Sequence, residues 1–247
     1  MAQRVLYCGD TTLDSAAAYL ASLMALWQVD FDYVPSHQPL SANLAVGSFD
    51  MFIFSDYPAE RADSALQQRI VERVSAGASL LMIGGWESYH GQGGDWDGTP
   101  IGNALPVEIS ATDDRLNCDS PVFVQPLIPD HPVVADLPWA ERPPLIGGFN
   151  RLAAKSDAST VLQAVRTTAR REGDSFTLQS VDSYPLLVTG KCGDGKTAAL
   201  ATDVAPHWIG PMVDWGQARV SAQAAGTDGV EVGNLYAQFL RQLIDWL

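Results

Sequence analysis

Three short apolar segments in the first third of the chain constrain the fold more than any other feature. They read RVLYCG from Arg4, FDMFIFSDYP from Phe49 and ASLLMIGGW from Ala78, and glycine or serine follows each apolar run closely. Strands without polar alternation are typical of parallel sheets, in which helices cover both faces. We therefore expect three buried strands of a parallel sheet.

The segments between these runs have the spacing of helices. LDSAAAYLASLMALW repeats apolar residues at helical intervals, and RADSALQQRIVERVSAG places Leu66, Ile70 and Val74 on one stripe. Gly77 follows the second stripe as a C-cap candidate. With VDFDYVP as a further strand after the first helix, the order β-α-β-β-α-β predicts a three-layer α/β sandwich.

The rest of the chain predicts additional strands and one more helix. Short β-like stretches lie in PVFVQPLI, GGFNRLAAK and STVLQAV. YPLLVTGKCGDGKTAALATD predicts a hairpin, because Gly193, Asp194 and Gly195 tolerate the positive φ of a tight turn. NLYAQFLRQLIDWL has the pattern of an amphipathic helix. Residues 1–247 contain no evident repeat or linker, so we expect a single domain whose mainly parallel central sheet carries extra hairpin strands.

Charge argues against two classes of partner, and the apolar runs and cysteine content indicate where the protein is found. The net charge of -14 opposes binding to nucleic acid or to an anionic membrane, since such binding needs Lys and Arg. No cationic leader precedes the first strand, and no run approaches the roughly 18 apolar residues that span a bilayer. Three widely spaced cysteines fit reduced thiols, so we expect a cytoplasmic protein.

Polar and acidic residues follow the ends of the predicted strands, where doubly wound sheets bind ligands. Asp10 follows the first strand, Asp56 the strand from Phe49, and Gly85 and Trp86 the strand from Ala78. Asp10 and Asp56 could equally cap helices. A second group of candidate residues follows the last sheet strand, and their roles also have alternatives.

ATDVAPHW contributes this second group, which contains Asp203, His207 and Trp208. Asp203 could serve only to hydrogen-bond a loop backbone. His207 is either an acid, base or ligand, or a structural histidine. Trp86 and Trp208 could form an aromatic wall for a sugar-like ligand, or they could pack the loops onto the core.

Four blocks of the sequence resemble a known superfamily. FDMFIFSDYPAE, LLMIGGWESYHGQGGDWDGTPI, DHPVVADLPW and ALATDVAPHW together are similar to the class I glutamine amidotransferase-like superfamily. The likeness is closer to bacterial proteins named putative glutamine amidotransferases, and trehalose-utilisation proteins look like more distant relatives. The resemblance implies a flavodoxin-like fold.

The resemblance also identifies a missing nucleophile. Working glutaminases of the superfamily carry a G-x-C-x-G turn and a late histidine followed closely by glutamate. Here Gly84 matches the first glycine, but Trp86 stands in the cysteine position and Ser88 in that of the second glycine. His207 could match the histidine, and Ile209 stands where its glutamate would be expected. Tryptophan cannot form a thioester, so the chain is not expected to be a cysteine-dependent glutaminase.

Three residues remain as catalytic candidates. If the turn after the strand opens a helix, Glu87 and His90 share one side, and Glu87 could orient or deprotonate His90. His207 with one of the aspartates would add the ingredients of a divalent-metal centre, but the spacing matches no strong metal motif, so no metal or cofactor is assigned.

We expect a protein that binds a small polar molecule at the strand ends. The ligand-binding candidates are Asp10, Asp56, Gly85, Trp86, Asp203 and Trp208. Two alternatives stay open: a catalytically inert interaction module with a protein partner or a second copy, and a metal-dependent sugar-modifying enzyme resembling trehalose-utilisation proteins.

Overall fold

The computed structural model describes residues 4–45 and 47–247, and these form a nine-stranded sheet with helices packed around it. The strands are β1 Arg4–Gly9, β2 Asp30–Val34, β3 Met51–Ser55, β4 Ser79–Ile83, β5 Val107–Glu108, β6 Arg115–Pro126, β7 Leu145–Asn150, β8 Ala153–Ala154, β9 Ser159–Glu172, β10 Ser175–Cys192, β11 Gly195–Leu200, β12 Arg219–Ala222 and β13 Val230–Gly233. The helices are α1 Ala18–Leu26, α2 Ala42–Ala45, α3 Ser64–Ser75, α4 Pro100–Ala104, α5 Pro206–Ile209 and α6 Asn234–Trp246. Residues Ala59–Arg61 and Gly210–Asp214 form 3-10 turns.

One half of the large sheet is parallel. Its order is β2-β1-β3-β4-β11, and every neighbouring pair in it runs parallel. This is the flavodoxin-like order 2-1-3-4-5, with β11 as the fifth strand. All residues of β3 and β4 are buried, as the unbroken apolar runs predict. The predicted α/β fold and its flavodoxin-like sheet are confirmed.

The other half of the sheet is antiparallel and continues as β10-β9-β6-β7. The predicted hairpin is present between β10 and β11, with Gly193 at positive φ in its turn. However, β9 and β10 extend well beyond the predicted apolar stretches, because each supplies the other's hydrogen bonds out to Glu172 and Ser175. Two small two-stranded antiparallel sheets, β5-β8 and β12-β13, complete the extra strands.

The helices begin and end where local signals place them, with one exception. Asp63 caps α3 by accepting a hydrogen bond from the Leu66 amide at 2.8 Å, and α3 ends just before Gly77, whose φ is +115°. The first helix, in contrast, begins only at Ala18, because residues 11–17 form turns after β1. No helix in the described part of the chain is long and apolar enough to cross a membrane.

The segment after β4 is not the strand-to-helix turn that the sequence predicts. Residues 84–99 form bends and turns, and the next helix, α4, starts only at Pro100. Tyr89 has a φ of +52°, which reverses the chain before a helical turn can form, while the φ of Trp86 is not positive. The geometry of a nucleophile turn is therefore absent from this segment.

Candidate functional site

Four strand ends meet at one edge of the parallel half of the sheet. Asp10 follows β1, Asp56 follows β3, Gly85 follows β4 and Asp203 follows β11. Since β1 and β3 are neighbours on either side of the point where the strand order reverses, the crevice above them is where such sheets bind ligands. The structure thus brings these four predicted residues to one region.

Asp10 lies inside the protein and caps no helix. Its residue is 1% exposed, and its carboxylate accepts hydrogen bonds from Ser55 Oγ at 2.9 Å and from the Tyr7 hydroxyl. The N-cap position of α1 is Ala17, so the helix-cap interpretation of Asp10 is wrong. Burial raises the pKa of Asp10 well above its usual range, and the nearby carboxyls of Asp203 and Asp56 raise it further.

Asp56 closes the turn after β4. Its Oδ1 accepts a hydrogen bond from the Glu87 amide at 2.7 Å, and its carboxylate packs directly on Gly85, where an added Cβ would overlap it. The helix-cap interpretation is wrong here too, because α3 is capped by Asp63 instead. Burial, reinforced by Asp203, raises the pKa of Asp56 to about 8.

Asp203 organises the loop after β11. Its Oδ1 accepts hydrogen bonds from the amides of Val204 at 2.6 Å and Ala205 at 3.0 Å. These bonds are the loop contacts that one interpretation of the sequence predicts. Burial nevertheless raises the pKa of Asp203 to about 6, so three carboxyl groups with raised pKa values lie near one another at the strand ends.

Two buried residues that the sequence analysis missed hold the turn after β4. Asn150 Oδ1 accepts a hydrogen bond from the Gly85 amide at 3.0 Å, and its Nδ2 donates to Asp114 Oδ1 at 2.7 Å. Asp114 in turn accepts from the amides of His90 at 3.1 Å and Gly91 at 3.2 Å. No local pattern marks Asn150 or Asp114, because their partners are distant in sequence.

His90 is paired with Asp97. Its Nδ1 lies 2.7 Å from Asp97 Oδ1, and this hydrogen bond raises the pKa of His90. The condition under which Glu87 and His90 would share one side is not met, because no helical turn follows β4. Among the described residues, His90, Asp95 and Asp97 form the group whose possible metal-ligand atoms lie within 4.8 Å of one another. That group includes neither Glu87 nor His207.

Trp86 and His207 meet on the outer side of the turn. Their ring centroids are 5.8 Å apart, and the Arg115 guanidinium lies 4.5 Å from the centroid of the Trp86 ring. Trp86 is 40% exposed and His207 is exposed as well. Trp208, in contrast, is 2% exposed, and its Nε1 donates to Asn117 Oδ1 at 2.7 Å, so its ring packs inside the protein.

Glu87 lines a crevice to which neither Trp86 nor His207 contributes. The crevice has a volume of about 240 Å³ and is lined by Thr11, Thr12, Ser36, His37, Pro58, Arg61 and Glu87. Ser36 joins its loops, because Ser36 Oγ accepts from the Thr11 amide at 3.0 Å and donates to the Asp56 carbonyl at 2.5 Å. We call this cavity the switch-point crevice.

The walls of the switch-point crevice carry both charges. Burial raises the pKa of Glu87, and Arg61 opposes this shift, which places the two opposite charges within electrostatic reach. The buried Nε of Arg61 has no hydrogen-bond partner among the described residues. A larger cavity of about 510 Å³ lies elsewhere, beside Arg142 and Asn234, and none of the predicted site residues lines it.

The strand order and the carboxyls at its ends define a flavodoxin-like α/β protein with a candidate site at the usual ligand-binding edge. The model of the family described as "Putative glutamine amidotransferase" matches residues 8–222, and the chain belongs to this family. No curated protein matches the chain.

Solved structures agree with this fold. The chain is similar to the cytoplasmic protein STM3548 of Salmonella typhimurium, with 24% identity, a TM-score of 0.73 and 98% of each chain covered. It is also similar to the cytoplasmic protein STM1381 of Salmonella typhimurium LT2, with 22% identity, a TM-score of 0.73 and 99% of each chain covered. A β-galactosidase from Rahnella sp. R3 matches at 11% identity and a TM-score of 0.50, over 100% of this chain and 31% of its own.

Proposed function

We propose that this protein binds a small polar molecule in the switch-point crevice and does not hydrolyse glutamine through a cysteine. The observation that carries the proposal is the presence of Arg61 and Glu87 together on the walls of a cavity at the β1/β3 strand ends. Ligands of open α/β sheets bind at this position. At about 240 Å³ the crevice suits a molecule smaller than the usual drug-sized ligand.

The chemistry of the walls favours a ligand that is neutral overall. Arg61 offers hydrogen-bond donors, Glu87 offers acceptors, and the hydroxyls of Thr11, Thr12 and Ser36 can do either. A ligand with net negative charge would be repelled by a chain of net charge -14, and a simple cation would meet Arg61. Sugars, polyols and zwitterionic amino acids carry no net charge, so neither argument applies to them.

Each of the three cysteines argues against glutaminase chemistry. Cys8 is buried within β1, and burial raises the pKa of its thiol. Cys192 lies at the turn from β10 into β11, which is the opposite end of the parallel strands. Cys118 lies in β6, and burial raises its pKa as well. Trp86 occupies the nucleophile position, so glutamine is expected to release no ammonia above the buffer blank.

Isothermal titration tests the binding proposal. The wild-type protein is titrated with glucose, trehalose, glycerol and a set of amino acids, and at least one is expected to bind. Glu87→Gln and Arg61→Gln should each weaken that binding at least tenfold, because a hydrogen bond to a charged group contributes about 1.5–3 kcal/mol. Glu72→Gln, the same change at an exposed position on α3, is the control and should leave the affinity unchanged.

Two further variants distinguish the two sides of the turn. Trp86→Ala and His207→Ala alter only the outer side, so they should leave the affinity within about twofold. If they abolish binding while Glu87→Gln and Arg61→Gln do not, the ligand occupies the outer side and the crevice proposal is wrong. Absence of binding by every compound would also overturn the proposal.

A further inference from the structure

The hairpin formed by β9 and β10 projects beyond the rest of the sheet. Strand β6 pairs with β9 only between Arg166 and Leu162, so the outer part of the hairpin has only its own two strands as neighbours. Every residue from 168 to 181 is exposed. We call residues 168–181 the ribbon.

One face of the ribbon is apolar. Phe176 and Leu178 are 68% and 53% exposed. Phe176 lies opposite Arg171 and Leu178 lies opposite Ala169, so these four side chains share a face. An isolated two-stranded hairpin is at best marginally stable in water. A ribbon with an uncovered apolar face therefore has the properties of a contact surface.

The charge on this face indicates what it contacts. Arg171 is the charged residue beside Phe176 and Leu178, and it forms no ion pair within the described residues. The chain as a whole has 29 acidic and 15 basic residues. A cationic, apolar face is thus complementary to the acidic surface of another copy of the same chain.

The size of the ribbon favours a reciprocal arrangement. A stable interface takes about 20–30 residues from each partner, and the ribbon alone supplies roughly half of one side. In a two-fold pair, each copy contributes both its ribbon and the surface that receives the partner's ribbon, so the contact reaches that size. We propose that two copies of this chain form a dimer in which each ribbon lays its apolar face on the acidic surface of the other copy.

Sedimentation velocity of the full chain from about 1 to 100 μM tests the dimer. The wild type is expected to sediment as a dimer at the upper concentrations. A shortened variant, in which Asn-Gly replaces residues 169–178, joins Thr168 to Gln179, which already lie opposite each other. This variant should remain monomeric while its thermal unfolding stays cooperative.

Point variants keep the test independent of any folding defect in the shortened chain. Phe176→Glu combined with Leu178→Glu should abolish the dimer, and Arg171→Glu should raise its dissociation constant at least tenfold. Leu26→Glu, at a residue 48% exposed on α1, and Arg69→Glu, at an exposed residue of α3, are the matched controls and should leave it unchanged. A wild type that is monomeric at every concentration, or a dimer that survives in the Phe176/Leu178 variant, would overturn the proposal.

Discussion

The two halves of the central sheet distribute polarity in opposite ways. The parallel half keeps ionisable groups inside: Asp10 is 1% exposed and Asp203 is 4% exposed. The ribbon, which is the outer part of the antiparallel half, holds apolar groups outside, with Phe176 68% exposed. Buried carboxyls and exposed aromatic rings each work against the ordinary preference of a folded chain, and this is why we propose a binding role for both regions. The first suits a small ligand, and the second suits a protein surface.

The largest expected effect comes from making one substitution in both halves. Phe54 is 1% exposed and packs against Trp96 at a ring-centroid distance of 5.2 Å, so Phe54→Ala should lower the free energy of unfolding by about 3–5 kcal/mol. Phe176→Ala should change it by less than about 0.5 kcal/mol in dilute protein. Urea unfolding measures both. A large decrease in the free energy of unfolding for Phe176→Ala would mean that the ribbon packs against its own chain.

A smaller contrast is expected between a buried and a partly exposed polar group, both in the antiparallel half. Asn150→Ala removes the buried hydrogen bonds that Asn150 makes with Gly85 and Asp114, and it should lower the free energy of unfolding by about 2–3 kcal/mol. Asp182 pairs with Arg166 at 2.8 Å, but both side chains are 34% exposed, so Asp182→Ala should lower it by less than about 1 kcal/mol. Equal losses from chemical unfolding would contradict the distinction between a buried network and a surface pair.

The smallest expected effect is the pH dependence of stability that Asp56 causes. Because the pKa of Asp56 is raised to about 8, the folded state holds a proton that the unfolded state releases near the ordinary value of 3.8. The contribution of Asp56 to stability is therefore present below about pH 4 and is lost as the pH rises towards 8. Asp56→Asn should raise the free energy of unfolding at pH 8 by at least about 1.4 kcal/mol, the free energy that corresponds to a shift of one pKa unit.

Thermal unfolding across this pH range measures the effect as the difference between Asp56→Asn and the wild type. The difference should grow in favour of the variant from about pH 4 to about pH 8. A difference that is constant with pH would mean that Asp56 titrates normally.

Local signals predicted most of the parallel half and little of the ribbon. The apolar runs placed β1, β3 and β4 within a few residues, and Asp63 with Gly77 accounts for the limits of α3. The outer parts of β9 and β10 were missed, because their residues are polar or alternate with polar ones and are paired only with each other. The prediction for the segment after β4 was wrong. Tyr89 has a positive φ, which prevents the helical turn that Glu87 and His90 would have shared.

The sequence by itself determined the parallel half of the sheet and placed Trp86 two residues after Gly84. A strand that is apolar throughout must be covered on both faces, and Trp86 cannot attack a carbonyl in any surroundings. Only the tertiary structure decided which polar groups meet, because Asp10, Asp56 and Asp203 come from separate strands and Asn150 reaches Gly85 across 65 residues. Their raised pKa values follow from burial, and burial is a property of the packed chain that no single segment carries.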